Sequence, residues 1–120
     1  SGDSVALEDF KGKRVLLYFF APWCKICDLS IGNLNWVRKL RSEDSTALLA
    51  VALSYDDLQS VKSFQERNTL DVPVLLGTHD MLSSYRIRAF PTVYTVNKSG
   101  EVDGSTVGYA TTLGLWWRTL

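Results

Sequence analysis

Hydrophobic residues fall into two kinds of block along the chain. Residues 14–20, RVLLYFF, form an apolar run broken only by its leading arginine. A continuous run of this kind marks a strand buried on both faces of an α/β sheet, where neither side of the pleat meets water. ALLAVAL at 47–53 reads as a second such strand, and VPVLLG at 72–77 as a shorter third. Pro73 has no N–H to give a ladder, which places that third strand at an edge or puts the proline at its entry. Between the first two runs the period changes. From Cys24 onward Ile26, Leu29, Leu34, Val37 and Leu40 recur mostly every three to five residues, with polar residues at 25, 28, 33, 35, 38 and 39. This pattern predicts an amphipathic helix to about Ser42. Asp56 or Asp57 can cap a second helix carrying Leu58, Val61 and Phe64 to about Asn68.

Farther on, residues 80–85 suit a short helical turn. PTVYTV at 91–96 and EVDGSTVG at 101–108 flank NKSG, a reversal in which Gly100 can take positive φ, so the two form a β-hairpin. Residues 111–120 can form a last helix. The order is β-α-β-α-β-α-β-β-α. Alternation of this kind argues for an α/β domain with parallel leading strands and an antiparallel hairpin at one edge. No repeat, low-complexity tract or linker divides the chain, which reads as a single domain over 1–120.

Composition narrows the function classes. With 46% hydrophobic and 22% charged residues the chain is that of a soluble globular domain. Thirteen basic residues balance thirteen acidic ones. A nucleic-acid binder would show a basic stripe, and no cluster here exceeds KGKR at 11–14. The longest nearly unbroken apolar run, VLLYFFAPW at 15–23, is too short to span a bilayer, which takes about 20 residues. No signal peptide is legible at the N-terminus. The chain starts Ser1-Gly2 rather than Met, as a trimmed segment would, so an export signal or anchor ahead of it is compatible with these residues.

The chemistry lies in FFAPWCKIC, 19–27, which holds both cysteines of the chain. A disulfide between Cys24 and Cys27 encloses only two residues and constrains little of the unfolded chain, so it makes a poor structural staple. Structural zinc takes about four ligands, and beyond the pair there is only His79. Copper(I) accepts two thiolates, so a copper(I)-binding protein is an alternative, although no Met or His flanks the pair. The redox reading has a positive argument. Cys24 falls between a buried strand and a long helix, where helix N-terminal N–H groups and partial charge favour a thiolate, and Lys25 adds a tuning charge. Cys27, one turn further in, is expected to be more buried and less acidic.

FFAPWCKIC resembles the thioredoxin active site, and FPTVYTVNKSGEV at 90–102 is similar to that family's cis-proline loop, hairpin strand and turn. The resemblance covers nearly the whole chain and implies a thioredoxin-like fold, a central mixed sheet flanked by helices. It further implies a cis Phe90–Pro91 bond beside Cys24, a substrate groove shaped by Trp23, Phe90 and Pro91, and a backbone edge at 89–90 that pairs with substrate. Cys27 and Pro91 lie farther apart than in plain thioredoxin by about one αβ unit, taken to be the helix at 57–68 with the strand at 73–76. With VALEDFKGKRVLLYFFAPWC in front, this insertion resembles the TlpA/ResA/DsbE-like group of extracytoplasmic thioredoxin-like proteins. Within that group the copper-sensitivity suppressor ScsD type is one candidate relative.

That resemblance implies a thiol–disulfide oxidoreductase with Cys24 and Cys27 catalytic and no cofactor or metal. It implies protein disulfides as substrates, more in the reducing than the oxidising direction, a membrane-bound electron donor, a monomer, and a periplasmic or otherwise extracytoplasmic site with a membrane anchor in the full-length protein. The chain also departs from the pattern. Tyr18 stands where thioredoxin has a buried aspartate, and Ser30 and Gly32 stand where cytochrome-maturation members have glutamate and proline. A role in cytochrome c maturation is thereby put in doubt. Asp28 is expected to point away from Cys27 into solvent. Tyr18 is read as core needing a partner for its hydroxyl, His79 as a surface residue, Trp116 and Trp117 as packing, and Gly108 and Tyr109 as a rim to the groove.

Overall fold

The apolar run at 14–20 becomes the middle of a sheet. In a computed structural model, which describes residues 12–40, 46–70, 72–77, 80, 83, 86, 87 and 89–108, strand β1 (Arg14–Phe20) is buried from Val15 onward. It pairs in parallel with β2 (Thr46–Ala52), Arg14 opposite Thr46 and Phe20 opposite Ala52. On its other side it pairs antiparallel with β4 (Thr92–Val96), Tyr18 opposite Val93. The short β3 (Val74–Leu76) joins the far edge of β2, and β5 (Val102–Val107) joins β4, giving the order β3-β2-β1-β4-β5. Helix α1 (Lys25–Leu40) connects β1 to β2, and α2 (Leu58–Arg67) connects β2 to β3.

Alternation along β1 divides the core into two layers. Leu16, Tyr18 and Phe20 enter one cluster with Cys24, Cys27, Ile31, Leu34 and Val37 of the α1 segment, and with Val61 and Phe64 of α2. Val15, Leu17 and Phe19 enter the other with Leu49, Val51, Leu53 and Val96. Each fully buried aliphatic or aromatic side chain contributes about 1.5–3 kcal/mol relative to exposure. Phe20 and Phe64 stack at 4.4 Å between ring centres, which locks α2 against the end of β1.

Turn chemistry sets the boundaries. Asp57 caps α2 by accepting the Ser60 N–H at 2.8 Å, as a side-chain oxygen does for orphan helix donors. Pro73 gives the sheet only its carbonyl, which accepts from the Ala50 N–H at 3.0 Å, and β3 is an edge strand three residues long. In the hairpin turn Gly100 takes φ 87°, and the Asn97 side chain accepts the Ser99 and Glu101 N–H groups at 2.9 and 3.0 Å.

The apolar count along the helices needs correcting. Ile26 and Leu29 are 46% and 72% exposed, and Leu58 is 54% exposed. The buried face of α1 is Cys27, Ser30, Ile31, Leu34 and Val37, the three-and-four spacing that starts from Cys27. Leu29 lies about half a turn away from that face and points outward. The expected helix at 111–120, His79, Tyr109, Trp116 and Trp117 lie outside the described residues, as does most of the turn at 80–85.

Candidate active site

The cysteines lie where the chain leaves the carboxyl end of a central strand, the usual place for a site on an open α/β sheet. The Cys24 N–H donates to the Ala21 carbonyl at 3.0 Å, and the Cys24 carbonyl accepts the Asp28 N–H at 3.2 Å, which starts α1. Cys24 is therefore the N-cap residue, and its Sγ accepts the Cys27 N–H at 3.2 Å. A sulfur takes the place that serine or threonine oxygen fills in an ordinary cap. Negative charge on that sulfur would meet a helix N–H and the positive end of the macrodipole.

A wall of the site comes from a segment 66 residues farther along the chain. The Phe90–Pro91 bond is cis, and the Phe90 carbonyl lies 3.6 Å from Cys24 Sγ, within reach of its S–H. Trp23 stands edge-on to the Phe90 ring at 5.7 Å and 87°, and its indole N–H donates to the Ser54 carbonyl at 2.9 Å. Ser54 holds φ 51°, a left-handed conformation that costs a non-glycine residue roughly 1–2 kcal/mol. Trp23 is 64% exposed, so an aromatic corner with one open face borders the sulfur. Lys25 is exposed at the first position of α1. Structure thus gathers Cys24, Cys27, Trp23, Lys25, Phe90 and Pro91 into one place.

The two thiols are not equivalent. Both are free; Cys24 is 7% exposed and Cys27 is fully buried. Burial pushes the Cys27 thiol far up, and its hydrogen bond and charge interaction with Cys24 push the same way, against a weaker opposing bond to the Ala21 backbone. One sulfur faces the groove and the other keeps its proton.

Below Cys27 the core contains a polar pair that sequence reasoning did not connect. The Tyr18 hydroxyl of β1 and the Ser30 hydroxyl of α1 hydrogen-bond to each other, and both side chains are fully buried. Burial pushes the Tyr18 hydroxyl far up, so it is neutral. These are two of the positions at which the sequence departs from the patterns that it resembles, thioredoxin's at Tyr18 and that of the cytochrome-maturation members at Ser30. A signal was present: Ser30 follows Cys27 by one helical turn, and Tyr18 shares the inward parity of Leu16 and Phe20 on β1.

Asp28 corrects an expectation. It is not left to solvent. Arg67 Nε donates to its Oδ1 at 2.8 Å, Arg67 Nη2 to its Oδ2 at 3.1 Å, and Asn68 Nδ2 to its Oδ1 at 2.7 Å. Partial burial alone would raise this carboxyl, but the Arg67 and Asn68 hydrogen bonds and the guanidinium charge hold it below the ordinary carboxylate range. Tertiary contact with α2, thirty-nine residues on, overrode the local solvent-facing position. Among the described residues no three His, Cys, Asp or Glu side chains gather at metal-binding distance, and no helix is long and apolar enough to cross a membrane.

A CxxC pair at a strand-to-helix turn, faced by a cis-proline loop on a mixed sheet, defines a thioredoxin-like dithiol domain. The chain belongs to the AhpC/TSA family, whose model matches residues 1–105. It is 32% identical over 111 residues to the thiol-disulfide oxidoreductase ResA of Geobacillus kaustophilus, a match over 92% of this chain and 63% of that protein. The thioredoxin-like protein YneN of Bacillus subtilis is 30% identical over 115 residues, 92% of this chain and 66% of YneN. The chain thus spans just under two thirds of these relatives. The crystal structure of StoA from Bacillus subtilis superposes with a TM-score of 0.83 at 27% identity, covering 92% of this chain and 84% of StoA. Fold and cysteine spacing are those of the TlpA/ResA/DsbE-like oxidoreductases.

Proposed function

We propose that the protein is a thiol–disulfide oxidoreductase that reduces disulfides in protein substrates. The observation that carries this reading is the inequality of the two sulfurs: Cys24 is capped by a helix N–H beside an open aromatic corner, and Cys27 is sealed beneath it with its proton held.

The steps follow from that inequality. Cys24 as thiolate attacks one sulfur of a substrate disulfide, an S–S bond forms between them, and the departing substrate sulfur leaves as a thiolate. Trp23, Phe90 and Pro91 shape the groove that holds the substrate, and Lys25 adds charge that favours the attacking thiolate. Cys27 then gives up its proton, which can go to the departing thiolate, and attacks Cys24 Sγ. The Cys24–Cys27 disulfide forms as the second substrate sulfur leaves. Two electrons pass from the dithiol to the substrate. A membrane-bound donor returns them, and the domain acts outside the cytoplasm, held by an anchor in the full-length protein. The reducing direction and this location rest on likeness to the TlpA/ResA/DsbE-like group.

The test is the reduction potential of the pair, from glutathione redox buffers followed by quenching and mass spectrometry. CxxC proteins on this scaffold range from about −270 mV for thioredoxin to about −120 mV for DsbA, roughly 7 kcal/mol apart. A value near the thioredoxin end is expected. A value near the DsbA end would reverse the direction and make the protein a thiol oxidant. A pair that did not cycle would overturn the redox reading, and copper(I) titration of the reduced protein would then be the decisive experiment.

A further inference from the structure

A single guanidinium spans the CxxC turn from outside. Arg67 is the last residue of α2. Its Nη2 donates at 2.8 Å to the carbonyl of Pro22, two residues before Cys24. The same group and Nε form the fork on Asp28, the residue immediately after Cys27, at 3.1 and 2.8 Å. Both ends of the motif are therefore held by one side chain. A planar guanidinium suits this task, because its donors have fixed directions and engage carboxylate and carbonyl together.

Arg67 is itself well anchored. Its guanidinium lies 5.1 Å from the centre of the Phe64 ring, and Phe64 stacks on Phe20, next to the turn that carries the cysteines. Asn35 in the middle of α1 donates to the Asn68 and Thr69 carbonyls at 3.3 and 3.2 Å, tying the end of α2 to the active-site helix. The place of this arginine beside the motif is set by packing on Phe64 and by three hydrogen bonds to two groups, the Pro22 carbonyl and the Asp28 carboxylate.

Its charge has a consequence for the sulfurs. Reducing the pair frees Cys24 Sγ to carry the attacking negative charge while Cys27 keeps its proton, and the Asp28 carboxylate, in the same first turn of α1 as both sulfurs, opposes that charge. Arg67 cancels it. We propose that Arg67 is a positioning residue for the dithiol, fixing the CxxC turn through Pro22 and neutralising Asp28 so that the reduced pair is not penalised by a bare neighbouring carboxylate. In this way Arg67, at the end of α2, acts on the potential of the active site through Pro22 and Asp28.

The inference rests on the pair being redox-active, and its test separates the two claims. Wild type, R67Q, D28N and the double variant D28N/R67Q would be equilibrated with glutathione, and unfolding midpoints would be recorded for each. R67Q leaves Asp28 unneutralised and is expected to make the pair more reducing, by about threefold to tenfold in the exchange constant, or about 15–30 mV. D28N leaves the cation alone and is expected to shift the constant the opposite way. The double variant is expected to return toward wild type. R67K keeps the charge and is expected to hold the constant closer to wild type than R67Q does. A merely stabilising ion pair would lower the unfolding midpoint in both single variants and give no opposed shifts. Single variants that shift the constant in the same direction, or not at all, overturn the inference while leaving a cycling wild type intact. A wild-type pair that does not cycle overturns the functional reading and the inference together.

Discussion

The first turns of α1 carry polar groups on two faces, and the two faces solve the same problem by opposite means. Inward, Ser30 meets Tyr18 in a sealed apolar layer, and both groups are neutral. Outward, Asp28 meets Arg67 at the surface, and both are charged, their side chains 31% and 45% exposed. The cysteines follow the same division: Cys27 belongs to the inward face, and Cys24 opens toward the groove beside Phe90. A buried polar group must be hydrogen-bonded, because leaving one unpaired costs about 1–3 kcal/mol. An exposed ion pair is screened, and its median contribution is about 0–1 kcal/mol. The inward pair is therefore expected to matter for stability, and the outward pair for the electrostatics of the sulfurs.

Removing the sulfurs themselves gives the sharpest division. Cys24→Ser is expected to reduce disulfide reduction to background, since the groove-facing nucleophile is gone. Cys27→Ser is expected to leave attack intact but stop resolution, so the protein accumulates as a mixed disulfide with its substrate. Mass spectrometry of each variant after incubation with a disulfide-bonded protein distinguishes them. Mixed disulfide trapped on Cys27 in the Cys24→Ser protein would invert the roles assigned to the two faces.

The inward pair comes next in size. Tyr18→Phe leaves the Ser30 hydroxyl buried without its partner, and Ser30→Ala does the same to the Tyr18 hydroxyl. Each is expected to cost about 1–3 kcal/mol in urea unfolding. The double variant is expected to cost clearly less than the two single costs added, because two apolar groups then face each other. Additive costs would mean that the hydroxyls do not depend on one another.

Much of this was legible in the sequence, and what was missed has a physical reason. The runs at 14–20 and 47–53 name buried strands because a strand covered on both faces has no polar positions to spare. The N-cap at Asp57 and the reversal at Gly100 follow from local chemistry, which short spacing carries. The cysteine pair announces itself because so little else explains two thiols three apart. Parity marked Tyr18 and Ser30 as inward without pairing them, and the partners of Asp28 and Trp23 were not legible at all, since Arg67 and Ser54 lie 39 and 31 residues away. Only tertiary packing decides those pairs. Leu29 was misplaced for a related reason: residue type suggested burial, whereas the helix face is set by where Cys27 must go.

Alkaline pH probes the inward face a third way. The folded Cys27 thiol is raised, by burial first, above the value of about 8.5 that it has in an unfolded chain. Stability that it lends the reduced protein is present below about pH 8.5 and lost as pH rises toward the folded value, because the unfolded chain ionises first. Reduced protein is expected to lose stability relative to oxidised protein by up to about 1.4 kcal/mol per pH unit in that window. Unfolding of both forms at pH 8 and pH 10 checks it. Parallel behaviour of the two forms would mean that Cys27 ionises in the fold as readily as outside it.

The outward pair is expected to have the smallest effect on stability. Asp28→Asn removes a carboxylate whose folded value is held low, chiefly by hydrogen bonds from Arg67 and Asn68 working against partial burial. Such a group stabilises the fold above its unfolded value of about 4, and the contribution disappears as pH falls through the lower folded value. With Arg67 nearly half exposed, solvent screening limits the difference from wild type to less than about 1 kcal/mol at pH 7. Urea unfolding of wild type and Asp28→Asn at pH 7 and pH 3 is expected to show a gap at the first pH that narrows at the second. A gap as large as that of Tyr18→Phe, or one that persisted unchanged into acid, would remove the distinction between a face that holds the fold and a face that tunes the sulfurs. A small, acid-sensitive gap joined to opposed shifts in potential would place the two duties of this short helix turn on its two separate faces.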